Sequence, residues 1–156
     1  MYKVTKEQFA NKLNVLIYGD PGSGKTHLAG TAQDVEEMKN VHFFNIDGGL
    51  MTLASRGDIS ATDIHSVEDL EQELWKLANK DPEYEGIQTV VIDNISELQT
   101  LVLEEATTRE YKNRIKKDKN YTIDEIYLED YGVAGKSSEV RLEQAFQTLS
   151  AANHEE

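Results

Sequence analysis

The residues with the most chemical content stand in a row: "GDPGSGKT", that is Gly19, Asp20, Pro21, Gly22, Ser23, Gly24, Lys25 and Thr26. They satisfy the pattern Gly-x-x-x-x-Gly-Lys-Ser/Thr, a loop whose backbone wraps nucleotide phosphates. The chemistry explains the residue types. Gly22 and Gly24 let the chain curl closely around an anion, and Pro21 stiffens the entry. Backbone N–H groups from Gly22 to Thr26 then face the phosphates at the start of a helix. Lys25 supplies a point charge for the β and γ oxygens. Thr26 offers a hydroxyl to Mg²⁺. The nucleotide-binding stretch so defined runs from Gly19 through His27.

Two further carboxylates fit the same chemistry. Asp93 ends the apolar run "TVVI", 67 positions after Thr26. A buried strand delivers such a terminal acid to the carboxyl edge of a sheet, where α/β ligands bind. There Asp93 would complete a Mg²⁺ shell with Thr26. "DNIS" also opens a helix, so a role as N-cap competes and can coexist. Asp47 follows the run "VHFF" and precedes Gly48-Gly49. With Lys25 it is the catalytic candidate, placed to orient or deprotonate an attacking water. The competing explanation for Asp-Gly-Gly is a plain turn. The guanine-reading pattern Asn-Lys-x-Asp is missing from any usable place, which favours ATP over GTP.

These groups need a scaffold. "LNVLIY" at 13–18 is nearly unbroken in its apolar character, as expected of a strand buried on both faces. A helix follows from about Lys25, with Leu28, Ala29, Ala32 and Val35 on one face. "VHFF" at 41–44 is a second strand, "ATDIH" at 61–65 a weaker third, and "TVVI" at 89–92 a fourth. Ser66 with Asp69 forms a capping box for a helix burying Val67, Leu70, Leu74, Leu77 and Ala78, which "DPEYEG" ends. Ile95, Leu98, Leu101, Val102 and Ala106 keep helical spacing. Thr122 with Glu125 caps a further short helix, and Ser137 or Ser138 a last one with Leu142, Ala145, Phe146 and Leu149 inward. Strands alternating with helices predict one α/β domain over 1–156, three-layered, around a mainly parallel sheet.

Composition sets the outer limits. The 156 residues carry a net charge of −13, from 16 basic and 29 acidic side chains. Such a chain has no global attraction to nucleic acid or anionic lipid. With no cysteine, disulfides and thiolate zinc sites are excluded. No apolar run approaches the roughly 20 residues of a membrane span, and the N-terminus lacks the apolar centre of a signal peptide. A soluble cytoplasmic protein is the expectation. The charge is polarised: 68–85 holds seven acids against Lys76 and Lys80. By contrast, 109–119 holds Arg109, Lys112, Arg114, Lys116, Lys117 and Lys119 against Glu110 and Asp118.

The segments "VLIYGDPGSGKTHLA", "FFNIDGGLMTL", "TVVIDNISELQTLVLEEA" and "LEDYG" together resemble RecA-like P-loop ATPases encoded by bacteriophages. That group includes phage AAA-type nucleotide-binding proteins and single-strand annealing proteins. The resemblance covers about 13–146. It implies an ATPase that uses ATP and Mg²⁺ in DNA recombination or annealing, in the cytoplasm of a bacterial host. It gives Lys25, Thr26 and Asp93 the roles derived above. At Asp47 the family typically has the water-activating Glu. An Asp withdraws the carboxylate by about 1.5 Å, which implies slow hydrolysis. The family places DNA-contacting loops after the Asp93 strand. The 109–119 segment would then contact single-stranded DNA, with Tyr111 and Tyr121 for stacking; the competing explanation is a solvated helix end with favourable charge.

One departure bears on activity. The family has a further apolar strand after "EDYG", bearing a polar sensor residue and lying between the phosphate-loop and Asp93 strands. Here 150–154 echoes only the sensor stretch. The expectation is a domain lacking that strand, whether truncated or completed by a neighbouring chain, with weakened turnover and a tendency to self-associate. A small-molecule P-loop kinase and a non-catalytic nucleotide-binding module are the alternatives. A kinase lid needs several arginines and the chain has four, whereas the missing strand and Asp47 favour the module.

Overall fold

Val41–Asn45 (β1) is apolar or aromatic except for His42 and Asn45, and every residue in it is buried. Strands covered on both faces belong to parallel sheets flanked by helices, and that is its setting. In the computed structural model, which describes residues 13–46 and 48–117, β1 is the central strand of three. Ser60–Asp63 (β2) pairs with it on one side and Thr89–Asp93 (β3) on the other, both parallel. The register aligns Asn45 with both Asp63 and Asp93, so all three strands end level.

Alternation along β1 sends its side chains to two cores. Phe44 packs with Ile64, Val67, Leu70, Leu74, Tyr84, Leu98 and Val102 on one face. That layer consists of Val67–Ala78 (α2) and Ile95–Ile115 (α3). Val41 and Phe43 pack with Leu53 on the opposite face, against Ala29, Ala32, Leu50 and Ile59. Lys25–Gly30 (α1) and the 3-10 turn Leu50–Leu53 cover that side. Phe43 and Phe44 are fully buried, each contributing about 1.5–3 kcal/mol by leaving water. Gly30 closes the α1 contact: a Cβ there would lie 2.6 Å from Leu53 Cδ2. The result is α/β, in three layers, with a parallel sheet, as expected.

Local signals account for the helix starts. Ser66 Oγ accepts from Asp69 N–H at 3.0 Å, the predicted cap of α2. Asp69 Oδ2 accepts in turn from the His65 N–H at 3.1 Å. Asn94 caps α3 through Oδ1, which accepts from the Glu97 N–H at 2.9 Å. His42 is the polar member of β1 on the α2 face. Its Nδ1 lies 2.8 Å from Ser60 Oγ and its Nε2 lies 3.2 Å from Thr62 Oγ1. Phe44 and Tyr84 meet its ring edge to face. Burial holds its pKa below the usual histidine value.

Two expectations are corrected. The apolar run at 13–18 is not a strand. Leu13, Val15, Leu16 and Tyr18 are all exposed, Tyr18 to 89%. Hydrophobicity predicts burial only where a neighbour offers a ladder. Among the described residues the sheet holds β2, β1 and β3 alone, and this run pairs with none of them. The helix after the phosphate loop is also shorter than its spacing suggests. It ends at Gly30 and continues as 3-10 turns, leaving Leu28 and Val35 exposed while Ala29 and Ala32 reach the core. The helices expected after Thr122 and Ser137, and the sensor echo at 150–154, lie outside the described residues.

Candidate functional site

The loop from Gly19 to Gly24 joins the exposed run to α1. Gly22 has φ +76° and Gly24, the N-cap of α1, has φ +90°, values that side-chain-bearing residues rarely adopt. A Cβ at either position would meet nothing within 4 Å, so backbone conformation rather than crowding requires glycine there. The Ser23 N–H donates to Asp20 O at 3.1 Å and pinches the loop. Lys25 Nζ curls back over it and donates to Gly19 O and Asp20 O, both at 2.9 Å. The ammonium thus lies across the loop's own mouth. His27 follows in α1 with its side chain exposed.

Thr26 is the next residue of α1 and turns toward the sheet. Its Oγ1 donates to Asp93 Oδ2 at 2.5 Å. Asp93 is 8% exposed at the last position of β3, and its carbonyl accepts from the Ile46 N–H at 2.7 Å. Of the two acceptors in "DNIS", the cap falls to the second. Asn94 takes the cap of α3 and leaves the Asp93 carboxylate to Thr26. The Asp93–Asn94 peptide is cis.

One participant was missed. Asn45 ends β1 beside Asp93 and is 7% exposed. Its Nδ2 donates to Asp63 Oδ1 at 2.5 Å, while its Oδ1 is buried without a hydrogen-bond partner among the described residues. Asp63, Asn45 and Asp93 form one polar row across three strand ends, on the face that Thr26 approaches. The signal was available: Val41, Phe43 and Asn45 alternate onto one side of β1.

The remaining candidates divide. Asp47 lies outside the described residues, between Ile46 at the strand end and Gly48 at φ +73°. Of the basic segment, Arg109, Lys112 and Arg114 ride the end of α3, and Lys116 and Lys117 follow it. Arg109, Lys112, Lys116 and Lys117 are exposed, and Arg109, Lys112 and Lys116 share one helical stripe. Arg114 Nε donates to Glu110 Oε1 at 2.7 Å. Lys119 and Tyr121 lie outside the described residues.

A family model described as AAA domain matches residues 11–123. The chain belongs to the AAA-domain family. Membership identifies it as an AAA-type P-loop domain, a nucleotide-binding ATPase class. The match spans the phosphate loop, all three strands and α3. No curated protein and no solved structure matches the chain. No helix among the described residues is long and apolar enough to cross a membrane.

Proposed function

We propose that this AAA domain binds ATP with Mg²⁺ and hydrolyses it, in the RecA-like manner. The observation that carries the proposal is the 2.5 Å hydrogen bond from Thr26 Oγ1 to Asp93 Oδ2. It joins the last residue of the phosphate loop to the acid ending β3, 67 positions further along the chain. A hydroxyl and a carboxylate so placed are hard oxygen donors suited to a small divalent cation. Asn45 Oδ1, buried in the same strand-end row and unpartnered among the described residues, adds a third oxygen, so the residues fit such an ion. Thr26 and Asp93 would hold it, and it would neutralise charge on the β and γ oxygens.

The chain's own groups do the rest. Loop amides cradle the phosphates, and the Lys25 ammonium exchanges its two loop carbonyls for phosphate oxygens. Asp47 follows β1 by two residues and serves as the base or orienting group for water. The exposed stripe of Arg109, Lys112 and Lys116, with Lys117, supports single-stranded DNA as the partner and recombination or annealing as the setting. The exposed apolar side chains at 13–18 support self-association.

The experiment is ATP hydrolysis with and without single-stranded DNA, using Lys25→Ala as control. Turnover that rises with DNA and vanishes in Lys25→Ala is the expected result. The alternative, a non-catalytic nucleotide-binding module, is favoured by one observation: the run that carries the phosphate loop has no ladder in the sheet. Tight ATP binding without turnover would select it.

A further inference from the structure

The polar row at the strand ends contains an acceptor that nothing among the described residues satisfies. Asn45 is 7% exposed, and its Oδ1 has no hydrogen-bond partner among the described residues. Its orientation is fixed by its neighbour. Asp63 Oδ1 only accepts, so the amide group facing it at 2.5 Å must be the NH₂. The two heads of an amide diverge, and with the NH₂ committed toward β2 the carbonyl oxygen is left for the other side. On that side the register places Asp93, the lateral neighbour of Asn45 on β3. Neighbouring strands lie about 4.8 Å apart, within reach of one shared bridging group.

A carbonyl oxygen and a carboxylate cannot hydrogen-bond each other, because both are acceptors. Side by side in a buried setting, they are satisfied together by a donor to both, such as a water held on a cation. Thr26 already aims its hydroxyl into the same corner.

We propose that Asn45 is a positioning residue for the metal: its Oδ1 accepts from a water in the shell of the divalent cation held at Thr26 and Asp93. Asp63 locks the amide so that the oxygen, and not the NH₂, faces the ion. The proposal rests on the Mg²⁺-nucleotide function above.

The test is equilibrium binding of a fluorescent mant-ATP to the full chain, titrated with Mg²⁺ and repeated in EDTA. Asn45→Ala should leave binding in EDTA unchanged and raise the Mg²⁺ midpoint about tenfold, the loss usual for a group that orients metal ligands. The exchanged pair Asn45→Asp with Asp63→Asn restores the hydrogen bond in reverse and puts an anionic oxygen beside the ion. It should lower the midpoint below that of the unmodified protein. If Asn45→Ala fails to fold, as read by circular dichroism, the exchanged pair alone decides. A midpoint unchanged in a folded Asn45→Ala, or in the exchanged pair, would overturn the inference and leave the nucleotide function standing. No Mg²⁺-dependent binding by the unmodified protein would overturn both.

Discussion

Thr26 Oγ1 donates to Asp93 Oδ2 at 2.5 Å, across 67 positions of sequence. The bond connects the first turn of α1 to the end of β3, two elements on separate parts of the chain. It depends on the core beneath it. Ala29 and Ala32 seat α1 and the turn after it near Val41, Phe43 and Leu53, and Val91 of β3 packs on the same cluster. Thr26 meets Asp93 because that small apolar layer brings the helix onto the sheet.

Lys25 separates binding from folding. Among the described residues its ammonium contacts only the carbonyls of Gly19 and Asp20, in an exposed loop. Charge-assisted hydrogen bonds are worth about 1.5–3 kcal/mol, so Lys25→Ala should weaken ATP binding about 10- to 100-fold. The melting temperature should not move. Calorimetric titration with ATP, alongside a thermal melt, checks both halves.

The neighbours Asp93 and Asn94 should divide stability from ligand binding. Asn94 Oδ1 caps α3 by accepting from the Glu97 N–H at 2.9 Å. Asn94→Ala should cost about 1 kcal/mol, the usual worth of such a cap. Urea unfolding would read the loss, and the Mg²⁺ dependence of nucleotide binding should stay as it was.

That division also marks how far sequence reasoning reached. Ser66 was legible as a cap because Asp69 stands three residues on, and β1 because Val41, Phe43 and Phe44 favour a strand with His42 as the one polar residue among them. Two acceptors in succession at 93 and 94 left the cap unresolved, since only the helix axis decides which faces the amides. The run at 13–18 misled for another reason. Apolar character reports a preference for burial, whereas a strand also needs a partner edge. Asn45 escaped notice because a lone Asn at a strand end has no motif; only the register with Asp63 and Asp93 gives it meaning.

His42 predicts an acid-sensitive core. Its ring is buried between Ser60, Thr62, Phe44 and Tyr84, and burial lowers its pKa in the folded state. The unfolded chain therefore binds the proton more readily, and stability rises with pH across this window. The contribution is fully present above the unfolded value of about 6.5 and is lost as pH falls through the lowered folded value. Chemical unfolding between pH 7.5 and 5, in roughly half-unit steps about that value, should show this decline. His42→Gln should flatten it, and an NMR titration of His42 in the folded protein should give a midpoint below that of a free histidine.

The most direct measurement is the Mg²⁺ dependence of mant-ATP binding in the unmodified protein and in Asp93→Asn. The substitution keeps the shape and an oxygen for Thr26 while removing the charge. Mg²⁺ should tighten binding to the unmodified protein, and in Asp93→Asn that gain should fall at least about tenfold, by analogy with lost metal-orienting groups. An identical Mg²⁺ gain in both proteins would contradict the assignment of Thr26 and Asp93 as the metal-nucleotide centre.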